Sequence, residues 1–240
     1  MILIACYIVD ILIFTNKKLT HQFNIKPVPE VIKQKHSTKY LGVILDDKLN
    51  WRPHIKNLKS KLARTCYTFY KLKKYVNQHT LKMLYYSLVY PHLQYCITSW
   101  GKAAEYLISK IFVMQKYFIK TICNKGSLEQ STPLFLNLEM LKLNDIYKLQ
   151  VGKLMYKVKN ETLIGNNTLI KTSEIHNYNT RLAGSLNYFI PQKRTCVGKR
   201  SFSFNGPKIW QNIPLEIKNS TTGCFKYKLK KLLLDSYNNV

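Results

Sequence analysis

Apolar residues at Ile55, Leu58, Leu62, Cys66, Phe69, Leu72 and Val76 are spaced by threes and fours, the period of one face of an α-helix. This run constrains the chain more than any other, because Lys56, Lys59, Lys61, Arg64, Lys71, Lys73 and Lys74 fill the remaining sides. The spacing predicts a helix over 53–75, with Pro53 in the first turn, where a missing N–H costs nothing. A solvated helix face ordinarily mixes signs, so that charges four residues apart attract. Here almost no carboxylate is interspersed, the repulsion is uncompensated, and a face for a phosphate backbone is the favoured expectation. Tyr67 and Tyr70 lie among these cations; tyrosines at helical spacing usually pack at a core or rim, and here they could add stacking to backbone contacts.

The whole chain carries the same bias. Its 38 Lys+Arg against 12 Asp+Glu leave a formal charge of +26 over 240 residues, which makes a polyanion the default partner and nucleic acid the commonest one. Only five of the basic residues are Arg, and Asn, Ile and Tyr are abundant. Lys, Asn, Ile and Tyr all have AT-rich codons, so base composition inflates Lys. It does not remove Asp and Glu, which AT-rich codons also encode, and the scarcity of carboxylates still points to a polyanion. With 46% hydrophobic residues the chain can bury a core.

Upstream of the basic helix, the stretch from Lys39 to Leu45 is β-favouring, Asp46-Asp47-Lys48 breaks it, and Asn50 and Pro53 open the helix. Strand, turn, helix is the simplest expectation. Adjacent acids at a turn are usually solvated, and one of this pair can orient the helix that follows. The apolar start, Met1 to Phe14, has no basic leader or small-residue cleavage site, is interrupted by Asp10, and is too short to span a bilayer. It is expected to be a buried strand, a further strand is expected over Val31 to Lys35 and a short one at Phe23 to Ile25, and the protein is expected to be intracellular, in nucleus or cytoplasm, without a membrane partner.

Helical spacing recurs over about 80–95, with Leu81, Leu84, Tyr85, Leu88 and Val89 inward and Pro91 kinking or ending the helix. It recurs over 104–123, over 134–158 after a loop at 125–133, and over 224–237 with Phe225, Leu229, Leu232 and Leu233 inside. The Asn-rich, polar 159–173 is the best linker candidate. Six scattered cysteines, with no close Cys/His pairs, are expected to be ordinary buried thiols rather than zinc ligands or disulfides, although His176, Cys196 and Cys224 could converge in space. His92, without a Cys, Ser or Asp partner pattern, is expected to pack or cap.

Several of these stretches share a resemblance. Lys39 to Ile55, then Leu84 through Trp100-Gly101, then His176-Asn177-Tyr178-Asn179-Thr180-Arg181, Gly206 through Pro214, and Phe225 to Lys230 resemble, in order, the part of non-LTR retrotransposon reverse transcriptases (jockey-like and related long interspersed elements) that follows the catalytic palm. The resemblance runs from Lys39 to Tyr237. It implies a primer-grip hairpin in which Lys39, Tyr40, Leu41 and Gly42 help place a primer end, a helical thumb, and a C-terminal extension. The implied fold is mainly α: a thumb-like helical bundle preceded by a small β-rich palm remnant, with a small α(+β) C-terminal unit. The corresponding divisions are 1–51, 52–158, a linker at 159–175, and 176–240.

The parent class is an RNA-directed DNA polymerase that uses Mg, held by paired carboxylates. Tyr7-Ile8-Val9-Asp10 matches the expected Tyr-x-Asp-Asp box imperfectly, with Val9 where the first Asp would be, and one carboxylate cannot hold two metal ions. The expectation is therefore a truncated, catalytically inactive polymerase piece without a cofactor. It would bind RNA or an RNA–DNA duplex through Lys39 to Gly42 and through Lys56, Lys59, Lys61, Arg64, Lys71, Lys73 and Lys74, and could pair with an intact polymerase or with itself. A remnant of a decayed element without function, and a repurposed protein-interaction module, stay open beside it.

Overall fold

The structure is a computed structural model and describes residues 3–7, 10–14, 33–162, 169–174 and 186–238. The fold is mainly helical with a small β part, as the periodicity predicts. Two short sheets come first. Strand β1 (Leu3–Tyr7) pairs antiparallel with β2 (Asp10–Phe14), and β3 (Lys33–Gln34) runs parallel to β2. The described residues of the apolar start thus form two strands rather than one. Strands β4 (Ser37–Tyr40) and β5 (Val43–Asp46) form a separate antiparallel hairpin. The strand expected at Phe23 to Ile25 lies outside the described residues.

Helix α1 (Arg52–Leu72) follows, then α2 (Gln78–Leu84), a π-helical turn at Tyr85–Val89, α3 (Tyr90–Gln94), α4 (Ile97–Trp100) and α5 (Glu105–Ile122). Asn77 caps α2, its side chain accepting from Thr80 N–H at 2.8 Å. The π turn inserts an extra residue, which rotates the helical face. Leu88, expected inside, is consequently exposed, while Tyr85 and Val89 stay buried.

α1 lies on α5 through Leu62 and Phe69, whose ring meets Phe118 edge-on at 5.0 Å between centroids. Each fully buried ring of this kind contributes about 1.5–3 kcal/mol. Buried Gln115 ties three segments together, its Nε2 donating to Tyr85 Oη and to Leu141 O, both at 2.9 Å.

The helix expected over 134–158 is broken into α6 (Thr132–Asn137) and α7 (Leu143–Lys159). Glu139 adopts φ 53°, and the N–H groups of Met140 and Glu139 bond back to Phe135 O and Leu136 O. That is a left-handed helix stop of the kind glycine usually supplies, so composition gave no warning of it. α5 and α7 end the same way at Asn124 and Glu161.

Past α7, the residues 163–168 and 175–185 lie outside the description, and with them His176 and the motif through Arg181. Between them Lys171 bridges Tyr188 and a 3₁₀ turn covers Thr172–Glu174. Four helices complete the chain: α8 (Cys196–Arg200), α9 (Phe202–Gln211), α10 (Leu215–Lys218) and α11 (Thr222–Asp235). They pack on α7. Tyr156 stacks on Phe225 at 4.2 Å, and Gly152 lets α11 approach closely, since a Cβ there would sit 2.6 Å from Leu229 Cδ2. One continuous core runs from Val43 to Tyr237. Cys66, Cys96 and Cys123 are half-buried, whereas Cys196 and Cys224 are exposed, against the expectation of buried thiols.

Candidate nucleic-acid interface

The β4–β5 hairpin corrects the expectation of one strand from Lys39 to Leu45. Tyr40 pairs with Val43 across a two-residue turn in which Leu41 (φ 45°) and Gly42 (φ 82°) are both left-handed, the geometry that matches strand twist. Gly42 adopts it freely, but Leu41 pays about 1–2 kcal/mol. Leu41 is nevertheless 68% exposed at the tip, so no burial offsets that cost. An apolar side chain held out at a strained turn is the kind of outlier that points to a contact surface.

Three ties hold this tip against the helices. The Tyr95 hydroxyl donates to Leu41 O. Tyr95 is itself placed by the buried Trp100, whose Nε1–H donates to Tyr95 O at 2.8 Å. The Ile44 N–H donates to Nδ1 of buried His54 in the first turn of α1.

The junction to α1 is organised by Asp46. Its two carboxylate oxygens accept from Asn50 N–H and Trp51 N–H, each at 2.9 Å. The N-cap is Trp51, left-handed at φ 64°, rather than Asn50. As expected of one member of the acid pair, Asp46 orients the helix; Asp47 instead meets His36 Nδ1 at 3.1 Å.

Ile55, Leu58, Leu62 and Phe69 are buried on α1, and Cys66 and Leu72 half-buried, so the predicted seam faces the core. Lys56, Lys59, Arg64 and Lys71 are exposed and Lys61 is half-buried. α1 ends at Leu72, so Lys73 is its C-cap and Lys74 lies in the turn beyond. Lys39, Tyr40, Leu41 and Gly42 are all exposed on the hairpin. The structure therefore brings the tip residues beside the first half of α1, and leaves Lys71, Lys73 and Lys74 at its far end.

Among the described residues, none of the α1 cations pairs with a carboxylate. The reason is visible in the chain: from Lys48 through Ala104 there is no Asp or Glu and there are eleven Lys or Arg. Lys71 Nζ sits 5.5 Å from the Tyr67 ring centroid and Lys73 Nζ 5.3 Å from that of Tyr70. Tyr67 is 65% exposed, so both rings flank the cationic face rather than entering the core. Arg52 is anchored differently, donating to Tyr106 Oη at 2.9 Å.

Where tip, α1 and α3 meet, a cleft of about 60 Å³ is lined by Gly42, His54, Asn57, Lys61, His92 and Tyr95. No carboxylate lines it. Burial, and then the charge of Lys61, hold His54 below the ordinary histidine value, so its ring is neutral and Nδ1 is free to accept. His92 is exposed on this cleft rather than packed or capping. Tyr95 and His92 were not singled out as site residues beforehand, because only the fold of α3 onto the hairpin places them there.

Among the described residues no cluster of His, Cys, Asp or Glu could hold a metal ion, and no helix is long and apolar enough to cross a membrane. No family model, curated protein or solved structure matches the chain.

Proposed function

We propose that this chain binds the sugar–phosphate backbone of RNA or of an RNA–DNA duplex through α1 and the β4–β5 tip. The observation that carries the proposal is the cationic face of Lys56, Lys59, Lys61, Arg64 and Lys71, which has no carboxylate partner among the described residues. An unpaired lysine row destabilises a helix on its own, and a polyanion removes that penalty while releasing counterions. Leu41, exposed at a strained turn beside this face, supplies an apolar contact of the kind that meets sugar or base edges. The resemblance to retrotransposon reverse transcriptases supports the same assignment, with the hairpin as primer grip and α1 as the entry to a thumb. In that reading the stretch holds nucleic acid and performs no chemistry of its own.

The test is a salt titration of affinity for an RNA–DNA duplex. Wild-type protein should lose affinity steeply with salt, and K59Q/R64Q/K71Q should flatten the slope of log K against log salt by about two to three. Weak binding with a flat slope in the wild-type protein would overturn the assignment.

A further inference from the structure

A second concentration of lysines has no counterpart in any linear run, because it is assembled by α7. Lys102, just after α4, sets its Nζ 5.3 Å from the ring centroid of Tyr147. One residue along α7, Lys148 Nζ lies 2.8 Å from Asp145 Oδ1, and Oδ2 of the same carboxylate accepts from the Tyr237 hydroxyl at 2.6 Å. Lys142, at the N-cap of α7, holds its Nζ 4.2 Å over the Tyr237 ring. Lys148 and Lys142 therefore lie by one buried carboxylate, and Lys102, from a separate segment, lies within reach of the Lys148 charge.

Two further lysines extend the group. Lys116 on α5 lies 4.5 Å over Phe112, and its charge reaches Lys142; Lys208 on α9 reaches Lys102. Burial, followed by these neighbouring charges, lowers the affinity of Lys102 and Lys142 for their protons, against the opposite pulls of Glu105 and Asp145. Asp145 pairs with Lys148 and pulls on Lys142, and Glu105 pulls on Lys102. Five lysines against these two carboxylates leave the surface net positive.

The chemistry of the patch selects its partner. Neither α7 nor α9 exposes a large hydrophobic side chain, and Val113 and Tyr117 are exposed only on the α5 side, beside Lys116, so the α7–α9 part of the patch lacks the apolar centre around which protein interfaces are built. Lysines presented as point charges over aromatic rings suit a phosphodiester backbone, which asks for positive charge without bidentate geometry.

We propose that Lys102, Lys142 and Lys148, with Lys116 and Lys208 beside them, form a second backbone-binding site, so that one chain holds two nucleic-acid segments at once. The site uses none of the α1 residues, whereas the holding of two segments at once rests on the α1 reading as well.

The experiment mixes the full chain with donor-labelled and acceptor-labelled RNA–DNA duplexes, reading energy transfer between duplexes and the mass of the complex by sedimentation. A monomeric wild-type chain should carry two duplexes and give transfer. K102Q/K142Q/K148Q should carry one, with about two to three units lost from the salt slope of the missing event; K59Q/R64Q/K71Q should abolish the other event and leave this one. One duplex per wild-type monomer that K59Q/R64Q/K71Q releases, unchanged transfer in K102Q/K142Q/K148Q, or loss of both events in that variant while it still melts cooperatively would each overturn the proposal; one duplex that K59Q/R64Q/K71Q keeps and K102Q/K142Q/K148Q releases would overturn the α1 reading and keep this site. If the triple variant does not fold, the exposed Lys208→Glu should weaken the second event at least threefold, and no change there is equally fatal. Capture of a polyglutamate peptide by this patch, with duplex ignored, would assign it to an acidic protein instead.

Discussion

The backbone N–H of Ile44 donates to Nδ1 of His54 at 3.4 Å, so the hairpin is pinned to α1 by a ring that accepts only while neutral. Burial and the Lys61 charge lower the His54 proton affinity below the ordinary 6.5. The folded state therefore binds fewer protons than the unfolded chain, and stability rises with pH across that window. Stability should be at its full value above pH 6.5 and fall as pH drops below it toward the lower folded value. Urea midpoints measured across this range should show the loss, and His54→Gln should remove most of the pH dependence.

Asp46 satisfies two N–H groups at the entry to α1. Asp46→Ala leaves them without an acceptor and should cost about 2–3 kcal/mol. Asp46→Asn keeps one acceptor and should cost about half as much. Chemical denaturation followed by far-UV circular dichroism gives both numbers.

Tyr95→Phe removes the hydroxyl that holds the Leu41 carbonyl. Amide exchange at Gly42 and Val43 should speed up several-fold while the melting temperature stays nearly constant, because the tip opens locally. Affinity for an RNA–DNA duplex should drop with it if the tip is a contact.

Ser60 is exposed on α1, four residues after Lys56 and four before Arg64. Ser60→Glu creates two pairs worth about 0.2–0.5 kcal/mol each. Thermal stability should rise while duplex affinity falls about three- to tenfold, since the same charge repels phosphate. A solvated face without a ligand would show the gain in stability and nothing else.

Glu139 is left-handed at φ 53° and exposed between α6 and α7. Glu139→Gly should stabilise the protein by about 1 kcal/mol, the approximate cost of an L side chain in that conformation. Calorimetry of the two proteins checks it.

Helices α1, α5 and α11 were legible in the chain because their apolar spacing is a local property that burial only has to use. The seam from Ile55 to Phe69 is buried as its spacing requires. Breaks were harder to see. Leu41, Trp51 and Glu139 all adopt left-handed backbone, a conformation their side chains do not advertise: Tyr95 holds the first and Asp46 the second, and the third closes on bonds back to Phe135 and Leu136. Leu88 turned outward because a π turn shifted the period under an unchanged pattern. The α1 face was readable from its lysines, whereas Lys102, Lys142 and Lys148 come together only when α4 is packed on α7.

The bonds from Asp46 to Asn50 and Trp51 have a mechanical consequence beyond their energy. α1 has 21 residues and so is about 30 Å long. A tilt of about 10° at its first turn would swing Lys71 by about 5 Å, more than the roughly 3.4 Å of axial rise per phosphate of one strand. One carboxylate at the base of the helix therefore sets where the far lysines point, and acts as a rudder for a surface it never touches.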